Sequence, residues 1–278
     1  MEVLSGNGAG IFEALNGKIY GNGTQTLILS HGFGTDQSVW HYLIPYLACY
    51  FKVVVFDLVF APNVKPNLYD PVKYSNFDGY AADLVNLLDE LELDKTIYMG
   101  HSMSAMIGCI AAVKRPELFQ HLILLGGSPR YLNDTGYDGG FSKAGIEGLF
   151  DAMSKNYSAW VPGFAPTAVL ADDCAAIAEF EDTLGRINPK VALAVAKTVF
   201  LSDLRGVLPK VLVPCTIIQA KIDPVAPTFV AHYMKRNLGA PATVKILKTK
   251  GHLPQLTAYP LLLKVLKKAL PARVPILV

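Results

Sequence analysis

The chain has 278 residues, 51% of them hydrophobic, with 25 basic and 23 acidic side chains and a formal net charge of +2. A length of this order suits one large domain or a core with one insertion, and the apolar content supplies a sizeable core. The near-balance of charge, with no long single-sign run, argues against nucleic acid as a partner, because phosphate binding needs a concentrated basic face.

The N-terminal stretch MEVLSGNGAGIFEALNG has no basic start followed by an apolar run, so it does not read as a secretory signal. No apolar stretch reaches the roughly 18 residues of a membrane span. A soluble intracellular protein is therefore expected, with no membrane partner and with the sequons at Asn22, Asn133 and Asn156 unmodified. The four cysteines (Cys49, Cys109, Cys174, Cys215) are far apart, form no CxxC pair and sit among apolar neighbours, which predicts reduced core thiols.

Short β-branched runs alternate with helical patterns, the mark of a mostly parallel sheet covered by helices. Strands are expected at Thr26–Ser30, Val53–Phe56, Thr96–Met99, Leu122–Leu125 and Thr216–Gln219, apolar nearly throughout as in strands buried on both faces, with a further short one at Val244–Leu247. Tyr80, Leu84, Leu87, Leu88 and Leu91 give Asp78–Leu93 a helical period, and similar helices follow Met103, Thr228 and Tyr259. Lys264, Lys267 and Lys268 on the last of these read as a solvated face.

From about Tyr137 to Leu201 no strand is evident. Helical segments carry Phe141, Leu149, Phe150, Tyr157, Trp160, Phe164, Phe180 and Phe200, and breaks at Pro162-Gly163, Pro166 and Asn188-Pro189 divide them into about four short helices. The expected organisation is a core of residues 1–136 and 202–278 with a helical lid at 137–201. Some of the lid aromatics line a pocket in this reading; the alternative is that they only fasten the insertion to the core.

The strongest chemical signal is TIYMGHSMSAMI at Thr96–Ile107. A strand runs through Gly100-His101-Ser102-Met103-Ser104 into a helix, the context of a nucleophile elbow that holds a serine in a strained, exposed turn. Ser104 stands where the G-x-S-x-G pattern has its second glycine and is still small; the plain alternative is a serine capping an ordinary helix. A serine nucleophile needs a base, and the base an orienting acid, in the order Ser, acid, His. His252, in the loop Gly251-His252-Leu253-Pro254, is the expected base, whereas His232 lies within a helix pattern. Asp223, at the end of the strand TIIQA, is the expected acid, ahead of Asp203, Asp182 and Asp57. His31-Gly32-Phe33-Gly34 follows the first long strand, so the backbone N–H groups of Phe33 and Met103 are the candidate oxyanion hole, with His31 holding the loop. A dehalogenase would need Asp at 102, and a metal enzyme clustered ligands; the six histidines are scattered, so no metal and no cofactor are expected.

HGFGTDQSVW (31–40), GHSMSAMIG (100–108), SPRYLND (128–134), NYSAWVPGFAP (156–166), SDLRGVLP (202–209) and GHLPQL (251–256) resemble the plant karrikin and strigolactone receptor hydrolases, over nearly the whole chain. The resemblance implies an α/β-hydrolase fold, a mostly parallel central sheet flanked by helices, under a V-shaped lid of four helices. It implies a receptor for a small butenolide that hydrolyses it slowly, docks an F-box protein and a repressor, and works in cytoplasm and nucleus. Matching positions put Phe33, Met103, Tyr131, Phe141, Leu149, Trp160, Phe164, Val199 and Phe200 around the ligand. Met103 replaces the valine usual after the nucleophile; Asp57-Leu58-Val59 looks like the strigolactone branch and Tyr131 like the karrikin branch. Phe60 and Pro62 depart from both, which points to a divergent member of early-land-plant type. An ordinary carboxylesterase of multiple turnover and a non-catalytic scaffold are the other readings.

Overall fold

The computed structural model describes residues 10–170 and 172–270. The first nine residues and the apolar tail Pro271–Val278 lie outside them.

After a short helix α1 (Ile11–Ala14) come β1 (Lys18–Tyr20), β2 (Thr26–Ser30), the short α2 (Ile44–Leu47) and β3 (Lys52–Phe56). Then follow α3 (Phe77–Glu90), β4 (Thr96–His101), α4 (Met103–Lys114) and β5 (Phe119–Leu125). Four helices are inserted next: α5 (Lys143–Lys155), α6 (Tyr157–Val169), α7 (Cys174–Gly185) and α8 (Pro189–Phe200). The core resumes with β6 (Cys215–Ile222), α9 (Thr228–Asn237), β7 (Ala242–Lys250), the short α10 (Pro254–Thr257) and α11 (Tyr259–Ala269).

The seven strands form one sheet in the order β1-β3-β2-β4-β5-β6-β7, parallel except for β1. From β2 the chain moves outward to β3 and then returns to the other side of β2 as β4, so the strand order reverses there. That reversal opens a crevice at the strands' carboxyl ends, where ligands collect in open α/β sheets. The central strands are covered on both faces: Leu27, Ile28, Leu29, Val53, Val54, Ile97, Leu122 and Ile217 are all buried. The edge strand β7 differs, burying Leu247 while Lys245, Ile246 and Lys248 stay exposed. Lys264, Lys267 and Lys268 lie on the exposed side of α11, whose Leu262, Leu263 and Leu266 are buried.

Three expectations are corrected. Helix α6 runs unbroken through Pro162 and Pro166; the breaks lie at Asn156, which N-caps α6, at left-handed Leu170 and, as expected, at Asn188-Pro189, which opens α8. The two prolines are four residues apart, so Pro166 lacks the N–H that would meet the Pro162 carbonyl. Both remain helical because proline's fixed φ suits a helix, and packing of α6 on α7 holds the segment. Only Cys109 and Cys215 are core thiols; Cys49 and Cys174 are exposed, the latter opening α7. Strand β1 was not anticipated, being three exposed residues with no alternation to read.

Candidate active site

Four loops leave the carboxyl ends of β2, β4, β6 and β7 and converge over the crevice. The tightest is the turn after β4. Ser102 has φ 56° and ψ −122°, a region costly for any side chain, and its N–H is tied to Leu125 O at 2.8 Å. The turn can be this sharp because Gly100 has no Cβ, which would lie 2.3 Å from the Ser104 carbonyl of α4. Gly32 serves the neighbouring loop likewise: a Cβ there would sit 2.9 Å from both Ser102 Cβ and His101 Nδ1. Ser104 does more than stay small. It accepts from Ser30 Oγ at 3.0 Å and donates to the His31 carbonyl, bolting the β2 loop to the nucleophile helix.

His252 Nε2 lies 2.9 Å from Ser102 Oγ, and His252 Nδ1 lies 2.9 Å from Asp223 Oδ2. A carboxylate only accepts, so Nδ1 carries the hydrogen and Nε2 faces the hydroxyl as an acceptor. Asp223 is itself fixed: Val225 and Ala226 donate their N–H groups to Oδ1 at 2.8 and 3.1 Å, and Gln219 Nε2 donates to Oδ2 at 2.7 Å. Gln219 was read only as the end of a strand; the available signal was a polar side chain in an apolar strand, four residues before the acid. The other candidates are occupied elsewhere. His232 is exposed on α9, Asp203 pairs with Arg130 and Arg205, and Asp57 accepts from Asn16 and the Gln37 N–H.

The backbone N–H groups of Phe33 and Met103 border this arrangement and have no protein acceptor among the described residues. His31 holds the loop that carries Phe33: its Nδ1 donates to Gly32 O at 2.9 Å and its Nε2 accepts from the Leu58 N–H at 2.8 Å. Among the described residues no group of three or more His, Cys, Asp and Glu side chains converges as metal ligands do.

Ser102 and His252 face a small cavity of about 20 Å³. Of the residues placed around the ligand by resemblance, Phe33, Tyr131, Phe164, Val199 and Phe200 line it, and Ala168, Phe180 and Val225 join them. Met103, Phe141, Leu149 and Trp160 do not line it. Met103 is fully buried; Phe141 packs its edge on Phe200, with ring centres 5.3 Å apart; Trp160 stacks on Phe164 at 4.7 Å. Leu149 lies on α5, which packs on α8. Which rows of a helix reach a cavity depends on how the helices pair, and sequence spacing does not set that. The Tyr131 hydroxyl is fully buried beside Ser102, and burial raises its pKa.

Burial also keeps His31 and His101 neutral, holding both below the ordinary value of 6.5; the His252 ring beside His101 adds to the effect there. As pH falls, the unfolded chain therefore takes up protons before the folded one does. The stability conferred by these two neutral rings is full above the unfolded value and is lost as pH drops below about 6.5, by up to ~1.4 kcal/mol per pH unit for each. Melting temperature should accordingly fall between pH 7.5 and 5.5, and a flat profile across that interval would refute the assignment.

The Alpha/beta hydrolase family model matches residues 27–262. Strigolactone esterase D14 of Arabidopsis thaliana is 51% identical over 261 residues, covering 94% of this chain and 98% of the relative. Karrikin insensitive 2 receptor CA of Petunia hybrida is 48% identical, covering 91% and 94%. Among solved structures, a hydrolase from Oleispira antarctica superposes with a TM-score of 0.90 at 30% identity, covering 93% of this chain and 95% of its own.

Proposed function

The chain belongs to the alpha/beta hydrolase family, and we propose that within it the protein is a butenolide receptor that cleaves its ligand slowly by serine chemistry. The hydrogen-bonded chain Asp223–His252–Ser102, ending at an apolar cavity, carries the chemical part of this reading. The similarity to a strigolactone esterase and a karrikin receptor carries the ligand class.

In the proposed reaction Ser102 Oγ attacks the ester carbonyl while His252 Nε2 takes its proton. The Phe33 and Met103 N–H groups receive the oxyanion. His252 then returns the proton to the departing alcohol or enol, leaving an acyl-serine. Water attacks this acyl group with His252 again as base, releasing the acid and restoring the hydroxyl. Asp223 holds the imidazole in the required tautomer throughout.

Helices α5–α8 act as a lid in this reading. A cavity of about 20 Å³ is far below the 300 Å³ or so of a small-molecule site, so the ligand enters only when the lid parts from the core. Docking of an F-box protein and a repressor on the lid, in cytoplasm and nucleus, is the corresponding signalling proposal. The alternative is a carboxylesterase of many turnovers on the same residues.

A time course of leaving-group release from a profluorescent butenolide, in moles per mole of protein, separates the two. The receptor reading expects a burst that stalls near one equivalent. Sustained turnover favours the esterase, and no release, with other small esters cleaved, overturns the ligand class.

A further inference from the structure

The side chain of His252 joins Ser102 and Asp223, but its backbone is gripped as well. Its N–H donates to the Ala168 carbonyl in the last turn of α6 at 2.9 Å, and its carbonyl lies 2.7 Å from His101 Nε2. A carbonyl only accepts, so His101 Nε2 carries the hydrogen. His101 Nδ1 is then a bare acceptor, fully buried and without a partner among the described residues. Gly32, where even a Cβ would come within 2.9 Å, closes off the space beside it. Burying half of an imidazole unsatisfied is costly. A ring that merely filled this space would do so better as an apolar side chain, so the one bond that His101 makes explains the residue.

That bond falls where the chain most needs it. The preceding Gly251 has φ 90° and is so close to α6 that a Cβ would lie 1.9 Å from the Val169 carbonyl. Its N–H is anchored to Ile222 O at 2.8 Å, at the end of β6. Beyond these contacts the loop belongs to no strand, and the peptide of His252 could rotate about the glycine. The His252 ring must span Ser102 and Asp223 together, and such a constellation tolerates about 10–20° of tilt.

We propose that His101 is a positioning residue for the base, its Nε2–H fixing the His252 peptide so that the ring meets Ser102 and Asp223 at once. This rests on the reading of His252 as base. His101 and Ala168 thereby hold the two peptides that flank the His252 Cα, the first from the residue before the nucleophile and the second from the lid.

The test compares His101→Phe, which keeps a ring but loses the donor, with His101→Gln, whose amide nitrogen stands near the position of the imidazole Nε2. With a fluorogenic ester, His101→Phe should lower kcat about 100-fold, the scale of a misplaced catalytic group. KM should stay within about threefold, and His101→Gln should return to within about tenfold of wild type. Equal loss in both variants, or an unchanged kcat in His101→Phe, overturns the proposal. Should the Phe variant not fold, His101→Asn, whose amide is too short to reach, replaces it in the same comparison. His252→Ala, measured alongside, keeps the two readings apart. If it stays active, the base itself is wrong; if it is inactive while His101→Phe is normal, only the positioning role fails.

Discussion

Ser102→Ala should lower ester hydrolysis by at least ~10⁴-fold while leaving the melting temperature within a few degrees of wild type. The substitution removes the atom that bonds to the acyl group, and the remaining donors can only polarise the carbonyl for water. The elbow itself survives, because its shape comes from the glycines at 100 and 32 and from the bond between the Ser102 N–H and Leu125 O. Alanine keeps the same strained φ of 56°, so no strain is released. The matched comparison is initial rate on a fluorogenic ester together with thermal melting. Activity within tenfold of wild type would mean that another group is the nucleophile.

Asp223→Asn should cost about 10⁴ in kcat, with KM little changed, and some stability besides. Both oxygens of Asp223 accept N–H donors: Oδ1 from Val225 and Ala226, Oδ2 from Gln219 and His252. An amide satisfies only one side. If its oxygen faces Val225 and Ala226, its NH₂ meets the Gln219 donor and obliges His252 Nδ1 to accept. The imidazole then carries its hydrogen on Nε2, where it can no longer take the Ser102 proton. If the amide turns over, the clash moves to the two backbone N–H groups. One buried donor left without an acceptor costs about 1–3 kcal/mol, which a lowered melting temperature would register. Full activity in this variant would remove Asp223 from the mechanism.

The parts of the site that were legible in the sequence were those dictated by connectivity. Strand runs ending in Gly100-His101-Ser102, in Asp223 and in Gly251-His252 share the carboxyl end of a parallel sheet, so chain order alone brought the three side chains into one neighbourhood. The loop His31–Gly34 was legible for the same reason. What stayed hidden depends on packing between elements distant in sequence. Trp160 and Phe164 both looked like pocket aromatics, yet only Phe164 reaches the cavity and Trp160 stacks behind it. Pro162 and Pro166 looked like breaks because local propensity says so, and tertiary packing against α7 overrides it. Ala168 and the carbonyl of His252 act through backbone bonds that no residue pattern announces.

The volume of the cavity sets a supply problem. At about 20 Å³ it has room for roughly one water molecule, which needs some 10–15 Å³, so any substrate must part the helices that cover it. Acylation asks nothing of the solvent, whereas deacylation consumes one water per turnover. Under the proposed mechanism both half-reactions therefore draw on the same helices, the first to admit the substrate and the second to admit water. A more viscous medium would then slow the entry of substrate and of water alike.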